Sequence, residues 1–328
     1  MPKNHFNHKK KMPWYQSAWN WTRHHVLIIL LPAGILGINR FWYLLARLIT
    51  HTMFTNGSQF FEWDIPFDHQ IPMVSAFVIP YMLSYFYWLI IPFFIYAYKG
   101  RKSFYVFCSA ALVAEVIGFL WLIILPSKMS YADYSKSVQD LNEHSDILST
   151  LLKNLVYKAD LPDNLCPSFH IIATILACII CCRKDENEKH HYGMLFTTII
   201  AVILVALATL FTRQHYIVDI LVAFVICEIS YLIAQKFNWG AHFGKIMGII
   251  NLKIGIVKQQ DSPLGKESSK YLYRNRAEQV IVIIVFILLV GVAIYFGAVS
   301  LLTGDPFKGI WKWGINDLYP GQPLIPLN

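Results

Sequence analysis

The sequence predicts an all-α protein, a polytopic bundle of transmembrane helices with short interfacial helices. Apolar residues make up 56% of the 328-residue chain and charged residues only 15%, a composition typical of chains whose outer surface faces lipid. The apolar residues are gathered into seven runs, most of them close to the ~20 residues that a helix needs to cross a bilayer. Helix is required because hydrocarbon offers no partner to unpaired backbone groups.

Each apolar run, taken in chain order, predicts one membrane span. The runs are residues 26–48, 71–98, 103–125, 165–182, 194–211, 216–235 and 279–301. The first follows the basic stretch "KNHFNHKKK", which resembles the start of a signal peptide, but the run is long and no small-residue cleavage site closes it. We therefore expect a retained anchor. Before the fourth run, leucines at i, i+3, i+4, i+7 spacing predict an amphipathic helix lying on the membrane. They are Leu148, Leu151, Leu152 and Leu155.

Lysines and arginines are divided unevenly between the segments that join the runs. If every run spans, nineteen fall on one side of the membrane and seven on the other. Because the more basic side is normally cytoplasmic, we expect an integral protein of the plasma membrane with its N-terminus in the cytoplasm. The expected parts are a basic cytoplasmic N-terminus (1–25), a transmembrane bundle (26–236) with a six-helix core, a basic cytoplasmic segment (237–278), an additional transmembrane helix (279–302) and an extracytoplasmic tail (303–328).

The net charge of +8 points to membrane lipids as partners. The basic residues are clustered in short segments between apolar runs and are not interleaved as in a nucleic-acid groove, so no nucleic-acid partner is predicted. The segment 237–278 is expected to rest on anionic lipid headgroups. The sequence leaves the oligomeric state open.

Two charges of opposite sign fall inside predicted spans at similar depth. With the 1.5 Å rise of a helix, Glu115 lies about 18 Å and Arg40 about 21 Å from the inner face. A lone charge in lipid is costly, so we expect an ion pair between Arg40 and Glu115. Glu228, in the sixth span, has no predicted partner.

Two polar motifs begin spans that open on the same side. The fourth span begins with "DNLCPSFH" and the sixth with "TRQHYIVD", so topology alone places His170 and His215 on one face of the membrane. Asp219 follows His215 by four residues, and on a helix its carboxylate can hold one ring nitrogen while the other stays free as a nucleophile or base. A single interfacial histidine is usually structural. Two on one face, one with a carboxylate partner, indicate a reactive site.

The start of the fourth span is suited to an anion. Ser168, after Pro167, predicts a helix N-terminus with free backbone N–H groups and a positive dipole end, which favours a phosphate. His170 falls in the first turn, where it can donate a proton.

"PSFH" together with "HYIVD" resembles the type 2 phosphatidic acid phosphatase superfamily. The longer stretches "DLPDNLCPSFH", "FTRQHYIVDILVAF" and "DIPFDHQIPMVSAFVIPYMLSY" are similar to its branch of inositol phosphorylceramide synthase-like proteins and their bacterial relatives, over about residues 26–236. The resemblance implies a helical bundle with its site at the outer membrane surface. It also implies that His215 forms a phosphohistidine, that Asp219 orients it and that His170 protonates the leaving alcohol. Ser168 would hold phosphate oxygens, and neither metal nor cofactor is expected.

The sequence departs from the family pattern at the cations that hold phosphate. The family's first motif, K-x6-R-P, is absent, and Lys128 in "LPSKMSY" stands near its place without the Arg-Pro. The arginine six residues before the motif histidine is replaced by Thr209. Arg213 is the nearest substitute, so we expect Lys128 and Arg213 to bind phosphate.

The expected function is hydrolysis of a phosphomonoester or pyrophosphate lipid at the outer leaflet. Hydrolysis is favoured because the sequence shows no second headgroup pocket. One alternative is transfer of a lipid headgroup, as in inositol phosphorylceramide synthase. An alternative of another class is a non-catalytic transporter or scaffold. Which lipid phosphate is the substrate is left open.

Overall fold

The computed structural model describes residues 14–54, 56–158, 160–183, 192–237, 315–323 and 325–327. Within these ranges the regular structure is helical and two isolated bridges are the only β pairing, which confirms the all-α prediction. The α-helices are α1 (Trp14–Met53), α2 (Val78–Ile124), α3 (Tyr131–Glu143), α4 (Ile147–Leu152), α5 (Phe169–Cys182), α6 (Tyr192–Phe211), α7 (Ile217–Lys236) and α8 (Ile315–Leu318). Three single-turn 3₁₀ helices, Gly57–Gln59, Asp68–Gln70 and Ser75–Phe77, join α1 to α2.

Four helical segments of the described chain are long and apolar enough to cross a membrane, as expected of an integral membrane protein. They are Ser75–Gly100, Lys102–Ile124, Tyr192–Phe211 and Ile217–Lys236. The fourth predicted span corresponds to α5, which is apolar but shorter; its 14 residues extend about 21 Å. The first predicted span lies within α1, which begins well before residue 26. The predicted seventh span, 279–301, and the basic segment 237–278 lie outside the described residues.

Gly100 separates the second and third predicted spans. Its φ of 82° and ψ of 179° lie in a region open to glycine alone, and α2 is broken there. The segment before the break, Ser75–Gly100, includes the preceding 3₁₀ turn and is called the first arm; the second arm is Lys102–Ile124. Lys99 Nζ, beside the break, donates to the carbonyl oxygens of Ile180 (3.1 Å) and Arg183 (2.8 Å) at the end of α5. The break therefore lies at the same end of the bundle as the C-terminus of α5.

Helix α5 lies at the centre of the bundle. It packs against α2, α6 and α7, and its apolar side chains are almost all buried. The largest of those with no exposure are Ile171, Ile172 and Ile175. Because lipid is as apolar as these side chains, close packing rather than escape from water stabilises this contact. A central α5 holds its first turn in a fixed position against its neighbours.

The predicted ion pair between Arg40 and Glu115 is wrong. Glu115 is fully buried and accepts two hydrogen bonds from Asn39 Nδ2, at 2.8 and 3.0 Å. Arg40, one residue further along α1, has NH1 3.9 Å from Asp160 Oδ2. Successive residues point about 100° apart around a helix, so a shared depth does not make two residues partners. Glu228 does have a partner, Arg183.

The row of leucines before the fourth predicted span is divided between two environments. Leu152 is fully buried, whereas Leu151 and Leu155 are 38% and 48% exposed. Helix α4 is short and continues as a π-turn over Lys153–Tyr157. The row therefore packs partly inward, against the first arm of α2, and does not form one continuous face.

The C-terminal tail packs against the loops at the end of the bundle where α5 begins. Lys128 Nζ donates to the Leu318 carbonyl oxygen at 3.1 Å, and the Tyr319 hydroxyl donates to the Met129 carbonyl oxygen at 2.8 Å. A Cβ on Gly57 would lie 2.4 Å from the Leu318 carbonyl oxygen, so only glycine allows this approach. The tail and the loop between the third and fourth predicted spans thus lie together.

Candidate active site

A small cavity of ≈ 70 Å³, partly open to solvent, lies at the end of the bundle where α5 and α7 begin. Its walls come from α1, the first arm of α2, the loop before α5 and the turn between α6 and α7. The lining residues that matter below are Arg40, Tyr81, Tyr85, Asn164, His170 and His215. Leu36 and Trp88 extend the lining further from this end, so the cavity joins a polar mouth to an apolar interior.

His170, His215 and Asp219 form one line of contacts. His170 Nδ1 is 3.2 Å from His215 Nε2, and His215 Nδ1 is 3.3 Å from Asp219 Oδ2. The Tyr85 hydroxyl oxygen is 2.8 Å from His170 Nε2. One assignment of protons satisfies all three contacts: Tyr85 donates to His170, His170 to His215 and His215 to Asp219. It leaves His215 Nε2 unprotonated, as a nucleophilic nitrogen requires, with its lone pair accepting the His170 N–H.

The first turn of α7 holds Asp219 in place. Its carboxylate is fully buried and Oδ2 accepts the Tyr216 N–H at 2.8 Å, while the Asp219 N–H donates to the Tyr216 carbonyl oxygen at 3.1 Å. The His215 N–H donates to the Thr209 carbonyl oxygen at the end of α6, at 3.3 Å. The backbone on both sides of His215 is therefore anchored, and the i, i+4 contact expected from the sequence is present.

Two aspartates from outside the motifs anchor the start of α7. Asp68 Oδ1 accepts the Ile217 N–H at 3.0 Å. The Tyr216 hydroxyl donates to Asp133 Oδ2 at 2.9 Å and accepts the Ser130 N–H at 2.8 Å. Together they tie the segment that carries His215 to the loop before α2 and to the first turn of α3. Asp68 lies in the stretch "DIPFDHQ", which the sequence analysis matched to the family without assigning it a role.

His69 bridges two carboxylates beside this anchor. His69 Nδ1 is 3.0 Å from Asp133 Oδ1 and His69 Nε2 is 3.0 Å from Asp64 Oδ2. These three side chains could offer ligand atoms to a metal ion. The two carboxylates, however, contact opposite nitrogens of the imidazole ring, and a single ion binds only one ring nitrogen. The arrangement fits a protonated imidazole between two carboxylates.

The His69 bridge predicts a pH-dependent contribution to stability. The hydrogen bond to Asp133 raises the pKa of His69. Burial acts to raise the pKa of Asp133, but hydrogen bonds from His69, Ser130 and Tyr216 leave it lowered. A raised histidine pKa stabilises the fold below the unfolded value of about 6.5, and this is lost as the pH rises through the folded pKa. A lowered aspartate pKa stabilises it above about 3.9, and this is lost as the pH falls through the folded pKa.

We therefore expect His69→Gln to lower the thermal unfolding midpoint most between about pH 4 and 6.5. The difference from wild type should shrink as the pH rises further. Unfolding of the detergent-solubilised protein, followed across this range, measures it. In an Asp133→Asn background the same substitution should show little of this pH dependence. A difference that stays constant from pH 5 to pH 9 would contradict the prediction.

Ser168 lies at the N-terminus of α5, beside both histidine segments. Its N–H donates to the Asp219 carbonyl oxygen at 3.2 Å. Its hydroxyl is fully buried and has no hydrogen-bond partner in the described part of the chain. Ser168 does not cap α5 with its side chain, so its hydroxyl accepts no hydrogen bond from the first backbone N–H groups of the helix. A role for Ser168 in holding phosphate oxygens stays a prediction.

Lys128 and Arg213, the two cations expected to hold phosphate, do not line the cavity. Lys128 is buried, with Nζ 3.3 Å from Glu62 Oε1 and bonded to the C-terminal tail. Arg213 NH1 is 2.9 Å from Asp140 Oδ2, and its Nε donates to the Ile71 carbonyl oxygen at 3.2 Å. Both side chains thus hold loops together, and among the described lining residues the cation is Arg40, from α1.

A buried ion cluster holds the loop before α5. The Arg47 guanidinium, 4% exposed, bonds Asp163 and lies 2.6 Å from Asp160 Oδ1. His51 Nε2 is 2.7 Å from Asp163 Oδ2. The next residue, Asn164, lies in the cavity wall and has φ 55°. Two side chains of α1 therefore fix the position of the loop that carries Asn164.

Sequence reasoning missed Tyr81, Tyr85 and Asn164. The Tyr81 ring packs on His170 with centroids 4.5 Å apart, and Tyr85 bonds the same imidazole. Two tyrosines four residues apart near one end of a predicted span were a readable signal, because that spacing places both on one helix face. Asn164 gave no such signal, since its placement depends on the contacts of the loop.

A family model described as the PAP2 superfamily matches residues 58–233, just over half of the chain. No curated protein and no solved structure matches this chain.

Proposed function

This chain belongs to the PAP2 superfamily, the family that "PSFH" and "HYIVD" predicted, and from that premise we propose that it is a membrane lipid phosphate phosphatase. Its substrate is a phosphomonoester or pyrophosphate lipid, presented at the outer leaflet. The observation that carries the proposal is the line of contacts from His170 through His215 to Asp219, in a cavity with an apolar interior. A nucleophilic nitrogen, a proton donor and an orienting carboxylate are the groups that such transfer needs.

The proposed reaction has two steps. His215 Nε2 attacks phosphorus, and the bond from phosphorus to the lipid oxygen breaks. With the phosphate bound, His170 is doubly protonated, its Nε2–H donating to the Tyr85 hydroxyl; it gives its Nδ1 proton to the lipid oxygen and becomes a neutral ring. Water then attacks the phosphohistidine, His170 takes the water proton, and the P–N bond breaks to release phosphate. Asp219 holds Nδ1 of His215 throughout and favours the charge that the ring gains. The two rings contact each other directly, so a bound phosphate must separate them.

The cavity supports a lipid substrate. Leu36 lies four residues before Arg40 on α1, and Trp88 three after Tyr85 on α2; both line the cavity. At a rise of 1.5 Å per residue these apolar groups lie roughly 5–6 Å deeper than the polar groups near the histidines. An acyl or prenyl chain would follow the apolar wall while its phosphate stays at the histidines.

We expect the purified protein to release inorganic phosphate from at least one lipid of a panel. The panel contains phosphatidate, phosphatidylglycerophosphate, a sphingoid phosphate and a polyprenyl pyrophosphate, each in mixed micelles. Metal chelation should leave turnover unchanged, since the proposed step uses only side chains. The variant Asp219→Asn, compared with wild type on the same lipid, should turn over about 10²-fold more slowly or worse, because it loses the carboxylate that orients His215.

A second incubation, with phosphatidylinositol and ceramide, separates hydrolysis from headgroup transfer. In transfer, the alcohol of ceramide would attack the phosphohistidine in place of water and yield a new phosphodiester. Such a product without phosphate release from the panel would replace our proposal by the transferase alternative. No product in either incubation would favour the non-catalytic alternative.

A further inference from the structure

A phosphoryl group held at the histidines needs fixed positive charge and hydrogen-bond donors around its oxygens. The two cations expected there, Lys128 and Arg213, bond to other parts of the protein. Among the described residues that line the cavity, the arginine is Arg40, and no lysine lines it. Arg40 lies on α1, outside the matched residues 58–233.

Arg40 is placed to bind an anion that enters the cavity. Its side chain is 33% exposed, and its NH1 is 3.9 Å from Asp160 Oδ2, a separation too long for a strong hydrogen bond. Asp160 has a closer cation, since Arg47 NH2 lies 2.6 Å from Asp160 Oδ1. The ion pair therefore does not saturate Arg40, whose planar guanidinium has five N–H donors and suits the bidentate binding of phosphate.

Asn164 supplies a second, independent sign of a ligand. The side chain is 2% exposed, and neither Oδ1 nor Nδ2 has a hydrogen-bond partner in the described part of the chain. It lines the cavity near His170 and His215. A buried amide without partners is costly, and a phosphate oxygen would satisfy its N–H₂ group.

We propose that Arg40 and Asn164 form the phosphate clamp of this enzyme, together with the N-terminus of α5. Arg40 approaches from α1, Asn164 from the loop before α5, and the backbone N–H groups of α5 from the helix end. The clamp thus uses positions different from those of the family's cationic motifs. This inference rests on the proposed function, whose nucleophile it surrounds.

The acidic groups around the clamp orient Arg40. Burial acts to raise the pKa of Asp160, but the nearby charges of Arg47 and Arg40 outweigh it, and the pKa is lowered overall. Asp160 is therefore a carboxylate at neutral pH. Asp163 is bonded by both Arg47 and His51. Arg47 is thus the closer cation to both aspartates. Asp160 orients the guanidinium of Arg40 from 3.9 Å, which leaves N–H donors of Arg40 for phosphate.

Binding of inorganic phosphate to the purified protein tests the clamp without turnover. We expect Arg40→Gln to weaken binding at least tenfold, and Arg40→Lys to weaken it less, since it keeps the charge but not the fork. Asn164→Gly removes the amide while tolerating the φ of 55°, and should also weaken binding several-fold. Titration calorimetry in detergent measures all three. For turnover, Arg40→Gln should lower kcat/KM on the order of 10²-fold.

Arg183→Gln is the matched control. Arg183 is also an arginine in an ion pair with a partly exposed acid, but it lies at the opposite end of the bundle and should bind phosphate as wild type does. The clamp is overturned if Arg40→Gln and Asn164→Gly, both folded, bind phosphate with wild-type affinity. Arg40-dependent binding by a protein that hydrolyses no lipid would support the clamp and count against the proposed function alone.

Discussion

Replacing His215 by alanine is expected to abolish phosphate release, with a loss of roughly 10³-fold or more, as for other covalent nucleophiles. The reason is that Nε2 of His215 is the atom that carries the phosphoryl group in the proposed mechanism, and neither neighbour can replace it. His170 has one nitrogen on His215 and the other on Tyr85, and Asp219 is fully buried. The initial rate on the best lipid of the panel measures the loss.

The covalent intermediate gives a direct readout. Rapid quenching with a phosphorus-labelled lipid under basic conditions, where phosphohistidine survives, should leave label on wild type and none on His215→Ala. His144→Ala changes an exposed histidine at the same end of the molecule and should keep both label and turnover. Equal labelling of wild type and His215→Ala would show that another residue is the nucleophile.

His170 should behave differently from His215. His170→Ala should be most damaging for lipids whose alcohol is a poor leaving group and milder for an activated aryl phosphate, because its proposed task is to donate a proton. The ratio of the two rates therefore separates proton donation from nucleophilic attack. A uniform loss on both substrates would indicate that His170 only positions His215.

The second large effect is on stability, at Arg47. Arg47→Met should destabilise the protein by about 3–5 kcal/mol, since it removes the cation that faces two carboxylates. Asp163 is 1% exposed and would keep a buried charge with His51 as its remaining ionic partner. Such a loss is a large part of the roughly 5–15 kcal/mol that stabilises an ordinary domain. The midpoint of thermal unfolding in detergent measures it.

The same cluster allows a double-mutant test. Arg47→Met combined with Asp163→Asn removes both charges and should be less destabilised than the sum of the single variants. Arg183→Met, which breaks an exposed pair, should cost no more than about 1 kcal/mol. If the two single effects simply add, Arg47 and Asp163 are not coupled and the cluster is not what holds the loop before α5.

The parts of this site that could be predicted are those that depend on local spacing or on the alternation of spans. His215 and Asp219 are one helical turn apart, and His170 and His215 begin helices that open at the same end, so both relations are readable from the sequence. The same reasoning predicted the helix that follows Ser168. None of these relations depends on how the helices are rotated about their axes.

The partners of Arg40, Lys128 and Arg213 could not be predicted. Depth along a span is one coordinate, and the direction in which a side chain points is set by packing. The face of α1 that packs against α2 places Asn39 in contact with Glu115. Arg40, the next residue, points elsewhere and lines the cavity. Lys128 is held by the tail and Arg213 by α3, through contacts between residues far apart in sequence.

The position of the tail has a consequence for the order in which the protein is made. The buried ammonium group of Lys128 donates to the Leu318 carbonyl oxygen, 190 residues further along the chain, and Tyr319 stacks on Tyr134. During synthesis the loops around the cavity therefore cannot make these contacts until the tail has left the ribosome, long after the histidine motifs. The helices can pack as they emerge, but the mouth of the cavity is completed late. A nascent chain that already has both histidines therefore still lacks the contacts that support the loops around its cavity.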